Sequence, residues 1–148
     1  MMQDYQGEVL ALYISTRNEP SRENRLELQL DENGVKDDKF YAKDIDRSVL
    51  LASKMSYDLA KSENISINYG DLGENILLDY NPYELPIGTK VKIGDVTLEI
   101  SQNSTLCKGL SKVNSKLPKL LKTDRGIFAK VVTSGIIKKR DTISIIKN

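Results

Sequence analysis

Histidine is absent from the chain, and cysteine occurs once, at Cys107. These absences remove the usual zinc ligand sets, the Ser–His and Cys–His nucleophile pairs and every histidine general base. A lone cysteine excludes an internal disulfide and suits a reducing compartment. No apolar run approaches the roughly 20 residues needed to span a bilayer. The start, Met1-Met2-Gln3-Asp4, has neither the basic residues nor the apolar stretch of a secretory signal. A cytoplasmic protein without membrane association is therefore expected. Charge of one sign is also scarce where it matters. Residues 101–148 hold 11 Lys and Arg but only two acids, Asp124 and Asp141, a balance of +9. Residues 1–100 hold 11 Lys and Arg against 19 Asp and Glu, a balance of −8. Surface lysines that happen to fall late in the chain would produce this, and so would a local anion site in the C-terminal third.

What is present reads mainly as strand. With 148 residues there is enough chain for one domain with a substantial core, 1–148. "GEVLALYIS" (Gly7–Ser15) is rich in apolar residues. "RLELQL" (Arg25–Leu30) alternates Leu26, Leu28 and Leu30 against polar neighbours, the pattern of a one-sided strand, and runs into the turn sequence Asp31-Glu32-Asn33-Gly34. "RSVLLAS" (Arg47–Ser53) reads as a buried strand. Gly94-Asp95 splits Lys90–Ser101 into two strands around a two-residue hairpin of the primed type. Ile127–Ile146 holds two or three more strands, broken at Ser134-Gly135 and at Lys139-Arg140-Asp141. The clear helix signal is Ser53–Glu63, with Ser53 as N-cap and Met55 and Leu59 on one face. Leu110–Lys122 has room for a turn or two, interrupted at Pro118. Eight or nine strands and one helix predict a mainly β barrel or sandwich.

"GDLGEN" (Gly70–Asn75) stands out ahead of the apolar run Ile76–Asp79. Its glycines permit positive φ and close approach of a ligand or another backbone. Read alone, it is a tight loop whose Glu74 and Asn75 satisfy nearby backbone groups. Read with the other landmarks in order, it says more. These are Gly73-Glu74-Asn75-Ile76, the hairpin Ile93–Ile100, Cys107, and Gly126 through Ile136. In this order and spacing the chain resembles the MOSC family, found at the C-terminus of molybdenum cofactor sulfurases and as small free-standing bacterial proteins. The resemblance covers residues 7–146.

The resemblance implies a β-rich barrel and a role as a molybdenum cofactor binder or sulfur carrier. In it Cys107 takes the place of the cysteine thought to hold a persulfide sulfur or to ligate molybdenum, so Cys107 is both the catalytic and the metal-ligating candidate. The cofactor-binding candidates are Gly73, Glu74, Asn75, Arg47, Lys108, Lys112 and Arg125. Glu74 and Asn75 would fix the loops that form the pocket. A thiolate is favoured by nearby cations, and phosphate needs cations or backbone N–H groups, so the lysines after Cys107 and Arg125 suit both needs. A lone cysteine taken without the resemblance is more simply a small buried apolar residue.

The chain departs from the family pattern in three places. A Gly-Asp-x-His-like stretch is replaced by Val35-Lys36-Asp37-Asp38-Lys39-Phe40. Arg140 stands where the late Gly-Asp has its glycine, and Leu106 replaces a proline before the cysteine. These bear on substrate and reductase activity. The alternative to a carrier is a reductase of N-hydroxylated compounds. It would need a partner electron donor, because no flavin or iron–sulfur signature is present. A cofactor-biosynthesis or electron-donor protein is the expected partner. Polyanion binding by residues 108–140 is the weakest reading, and no nucleic acid is expected, because Phe128 is the only aromatic after residue 100.

Overall fold

The computed structural model describes residues 2–16, 23–83, 85–103, 116, 120 and 126–147. Its described elements are the strands β1 (Met2–Ile14), β2 (Glu23–Arg25), β3 (Glu27–Asp31), β4 (Gly34–Val35), β5 (Val49–Ser53), β6 (Ile76–Leu78), β7 (Lys90–Ile93), β8 (Val96–Asn103), β9 (Ile127–Thr133), β10 (Gly135–Lys138) and β11 (Thr142–Lys147), the α-helix α1 (Lys54–Ser62) and a 3-10 turn at Ile45–Arg47.

Seven strands close into a barrel in the order β11-β7-β8-β9-β5-β6-β1, because β1 pairs with β11 as well as with β6. The mainly β barrel is thus as the sequence predicts. Closure removes the unpaired edges that an open sheet would expose. β1 can serve two neighbours because its register shifts between Tyr5 and Gly7 and again between Val9 and Ala11. Such bulges bend a strand and strengthen its twist. β2 extends the sheet beside β1, and β10-β3-β4 form a small second sheet. The barrel interior is filled by Val9, Leu12, Leu51, Ile76, Leu78, Leu98, Ile100 and Ile127, among others. A second apolar cluster of Ala11, Tyr13, Ala52, Tyr57, Ala60, Ile65, Leu72 and Leu77 lies under α1.

All pairings in the barrel are antiparallel except β5 with β6. A parallel pair needs a crossover, and α1 supplies it. The Gly70–Asn75 stretch brings the chain from that crossover back into β6, which is why so much loop chemistry precedes a strand of three residues.

Several expectations change at their edges. Ser53 caps α1, its hydroxyl accepting from the Met55 N–H at 3.0 Å. The buried face is Ser56, Tyr57 and Ala60, however, and Met55 is 47% exposed while Leu59 packs partly against the second cluster. In so short a helix the buried hydroxyl of Tyr57 sets the rotation. Leu28 and Leu30 are buried but Leu26 is 77% exposed, because the chain bends between β2 and β3 and the alternation restarts there. β5 begins at Val49 and not Arg47. Asp44 caps a 3-10 turn, accepting from the Asp46 N–H at 3.1 Å, and Arg47 ends it. The Gly94-Asp95 hairpin joins Ile93 to its partner Val96, with positive φ at Gly94 alone, the pattern of a II′ turn.

Arg140 has φ +78. Its N–H donates to the Val9 carbonyl at 2.9 Å, and the Asp141 carbonyl accepts from the Val9 N–H at 2.8 Å. The turn between β10 and β11 is thereby pinned to β1, and position 140 is held in the left-handed region that the family fills with glycine. That conformation costs a non-glycine residue about 1–2 kcal/mol. The Arg140 guanidinium reaches Glu8 only at 3.9 Å from a largely exposed position, a pairing worth little. Arg140→Gly is expected to stabilise the protein by about 0.5–1 kcal/mol after the greater freedom of glycine in the unfolded chain is subtracted. Urea midpoints of the two proteins measure this, and an unchanged or lower midpoint would refute it.

Candidate functional site

Along β5 the side chains alternate between the two sides of the barrel wall. Val49 and Leu51 enter the interior cluster and Ala52 the cluster under α1. Leu50 belongs to neither. It stands opposite Phe128 in the β5–β9 ladder, and both are buried. Three further residues converge on this pair. The Arg47 guanidinium lies 4.9 Å from the centroid of the Phe128 ring. A Cβ placed on Gly73 would sit 3.9 Å from the Leu50 side chain with nothing closer, and one on Gly126 would lie 3.5 Å from it.

The two glycines differ in what they require. Gly73 has φ +89, and among the described residues only the Leu50 side chain comes within 4 Å of a Cβ there, so its backbone conformation is what calls for glycine. Gly126 has φ +96, and a Cβ would lie 2.6 Å from the Leu51 carbonyl oxygen. No side chain fits at 126 while β9 runs against β5.

Glu74 and Asn75 point into the fold. Asn75 is a three-way tie. Its Oδ1 accepts from the Leu50 N–H at 3.0 Å, and its Nδ2 donates to the Tyr13 carbonyl at 3.2 Å and to Asp38 Oδ1 at 3.4 Å. Its backbone N–H donates to the Leu50 carbonyl, and its carbonyl accepts from the Tyr13 N–H. Asp38, buried as well, also accepts from the N–H groups of Ser15 (2.7 Å) and Phe40 (3.0 Å). Here, where the family pattern has Gly-Asp-x-His, Asp37 takes φ +72 and Asp38 acts as a latch. An open cleft of about 370 Å³ lined by Thr16, Asp37, Asp38, Lys39 and Tyr41 adjoins it.

Glu74 is fully buried. The Tyr57 hydroxyl donates to its carboxylate, with contacts of 2.6 and 2.8 Å to the two oxygens. The Gly70 N–H lies 3.0 Å from the Tyr57 oxygen and 3.1 Å from Glu74 Oε2, and the Leu72 N–H donates to the Tyr57 oxygen at 3.2 Å. Burial, then the Glu74 charge and its hydrogen bond, push the Tyr57 phenol far above its ordinary value. Burial and then the Glu74 charge raise Tyr13 as well. Both phenols stay protonated through the neutral range.

Of the sequence candidates, Gly73 lies against Leu50 and Arg47 against its ladder partner Phe128, while Asn75 holds the Leu50 backbone and Glu74 is buried against Tyr57. Cys107, Lys108, Lys112 and Arg125 lie outside the described residues, as does most of Leu110–Lys122, where the Leu120 N–H donates to the Lys116 carbonyl and Leu120 packs on the cluster under α1. The described residues that flank the segment carrying them adjoin the Leu50–Phe128 pair. Asn103, the last described residue before that segment, pairs with Ile127, and Gln102 pairs with Phe128. Sequence reasoning did not find Leu50, Tyr57, Asp38 or Phe128. Among the described residues no group of three or more Cys, Asp or Glu converges as a metal ligand set, and no helix is long and apolar enough to cross a membrane.

The YuaD protein of Bacillus subtilis has the same architecture, with a TM-score of 0.83 at 16% identity over 97% of this chain and 98% of that one. YiiM from Geobacillus stearothermophilus aligns with a TM-score of 0.68 at 13% identity over 99% and 76%, and YiiM from Escherichia coli with 0.67 at 16% over 95% and 70%. At such identities the likeness speaks to fold alone. No curated protein matches the sequence. The MOSC domain family does, over residues 27–144, from the start of β3 into β11. A match of that extent on this barrel means that the chain belongs to the MOSC domain family.

Proposed function

We propose that the protein binds the molybdenum cofactor, or carries sulfur for it, through Cys107. The family is associated with molybdenum cofactor binding. The observation that supports the reading here is the convergence of Arg47, Gly73 and Gly126 on the Leu50–Phe128 pair, at the point where the segment bearing Cys107 leaves β8 and returns to β9.

The residues on that patch fit such a group. Among the described residues the Arg47 guanidinium lies over the Phe128 ring and meets no carboxylate, a placement that would suit an anion. A Cβ on Gly73 would meet, among the described residues, only the Leu50 side chain, at 3.9 Å. Arg47 and Gly73 would hold the anionic and flat parts of the cofactor, with Lys108, Lys112 and Arg125 adding cations from the segment between β8 and β9. Glu74 and Asn75 set the loop without spending their polar atoms on the ligand. When bound, the cofactor supplies a redox-active metal that takes thiolate ligands. The Cys107 thiolate would provide one, or would attack the outer sulfur of a donor persulfide, so that the donor leaves as its thiolate and Cys107 holds the sulfur. Lys108 and Lys112, which follow it in the sequence, would favour the thiolate. Either role calls for a partner that delivers sulfur or electrons.

The test is purification from a host that makes the cofactor. The wild type is expected to carry molybdenum and a pterin that fluoresces on oxidation, Cys107→Ser neither, with the two melting alike. Equal loading of both, or a wild-type thiol that reacts with a thiol reagent only after unfolding, would overturn the assignment. Turnover of an N-hydroxylated base with an added electron donor would identify the reductase form of the reading.

A further inference from the structure

Arg47 ends a 3-10 turn and lies ahead of β5, on a stretch that gives its long side chain no carboxylate partner among the described residues. A free arginine samples many rotamers, and fixing it on binding costs affinity. Here the guanidinium rests over an aromatic face instead. Phe128 is buried on β9, directly opposite Leu50. The strand ladder therefore fixes the ring, and the ring fixes the guanidinium at 4.9 Å.

We infer that Phe128 is a positioning residue: it holds the Arg47 guanidinium, by cation–π contact, as a preorganised seat for an oxyanion on this face of the barrel. The ligand class is a tetrahedral dianion such as a phosphate ester. A guanidinium whose carbon is held over a ring by its charge has its hydrogen bonds left for an anion, and its N–H edges form the fork that matches phosphate. A Lys at 47 would also be attracted to the ring but would present a point charge without the fork. Among the described residues a Cβ on Gly73 would meet only the Leu50 side chain, at 3.9 Å, so Gly73 adds no bulk to the approach.

The inference rests on the reading that this face is the cofactor site, but its test needs neither Cys107 nor metal. The probe is inorganic phosphate, titrated into the full chain while the Arg47 Nε–H resonance is followed. In the wild type phosphate shifts that resonance. In Phe128→Leu the dissociation constant rises about two- to fivefold, the scale of an exposed cation–π contact. Phe128→Tyr restores it, because the ring face is kept. In an Arg47→Gln background, Phe128→Leu has no further effect. A purely structural Phe128 predicts otherwise: the leucine would weaken phosphate binding equally with or without Arg47, and its effect would follow the melting temperature. That result, or a leucine variant with wild-type affinity, would overturn the proposal. If the wild type binds phosphate as described but carries no molybdenum from a cofactor-producing host, the cofactor reading fails and this one stands.

Discussion

Asn75→Ala is expected to lower the stability of the protein by about 3–4 kcal/mol, a large loss for one polar side chain. The side chain is almost completely buried and joins three segments distant in sequence. Its removal strands the Leu50 N–H inside the fold. It also takes a donor from the Tyr13 carbonyl and from Asp38 and leaves a small void. Each buried group left unsatisfied costs about 1–3 kcal/mol, and more where a charge is involved. Asn75→Asp separates shape from hydrogen bonding. The carboxyl can still accept from Leu50, but its second oxygen faces the Tyr13 carbonyl and Asp38, two acceptors. Burial and the neighbouring carboxylate would raise the new group's pKa above its unfolded value near 3.9. What the protonated form contributes is then fully present below that value and lost as pH rises through the folded one. Relative to wild type, the aspartate variant should be worse at pH 7 than at pH 4. Urea midpoints at the two values measure this. A loss under about 1 kcal/mol for Asn75→Ala would show that neighbours or water replace the amide.

Loss of that tie also bears on the site. Asn75 fixes the backbone of Leu50 from both its N–H and its carbonyl, and the Leu50 side chain is the point against which Gly73 and Gly126 lie. Loosening it lets the loop before β6 move relative to Arg47. A stability defect in Asn75 variants should therefore be accompanied by weaker anion binding, even though Asn75 makes no contact with the patch surface.

The parts of this architecture that were legible in the sequence are those decided locally. Gly94-Asp95 marks a turn because few other pairs adopt its backbone, and Ile93 and Val96 follow from it. Val49–Ser53 is apolar because both sides of its strand are covered, which also marks it as central. The order of the glycines, the Glu-Asn pair and Cys107 carried the family. What was not legible depends on contacts between distant residues. Nothing near Glu74 in sequence announces Tyr57, 17 positions away across the crossover, and nothing near Asn75 announces Tyr13, 62 positions away. Met55 was assigned to the wrong face because two turns of helix carry too little periodicity to decide a rotation that a buried hydroxyl then decides. Arg47 was read as strand although Asp44 and Asp46 ahead of it already spell a capped turn. Phe128 looked like one more apolar strand residue. Only the ladder shows that it faces away from the interior and toward a cation.

Tyr57→Phe is expected to cost about 2–4 kcal/mol at neutral pH, although only one oxygen is removed. The phenyl ring keeps its place in the cluster under α1 and its edge contact with Tyr69, 5.0 Å between centroids at 75°. Packing is therefore nearly unchanged, and the loss measures the hydroxyl. That hydroxyl donates to a fully buried carboxylate and accepts from the Gly70 and Leu72 N–H groups. Without it Glu74 loses its tyrosine donor and Leu72 its acceptor. The alkaline limb gives an independent signature. The folded pKa of Tyr57 is raised by burial first and by Glu74 second. Its contribution is fully present below the unfolded value near 10 and is lost as pH rises above it, because the unfolded phenol ionises while the folded one does not. One such group steepens the decline by up to about 1.4 kcal/mol per pH unit. Tyr13 and Tyr41 are raised as well, so both proteins should lose stability above pH 10, the wild type more steeply. The gap between them should be widest near pH 7 to 9 and should narrow by pH 11. Urea denaturation across that range measures it. A gap that stays constant with pH would show that Tyr57 ionises equally readily in both states, and a neutral-pH loss under about 1 kcal/mol would show that Glu74 does not depend on it.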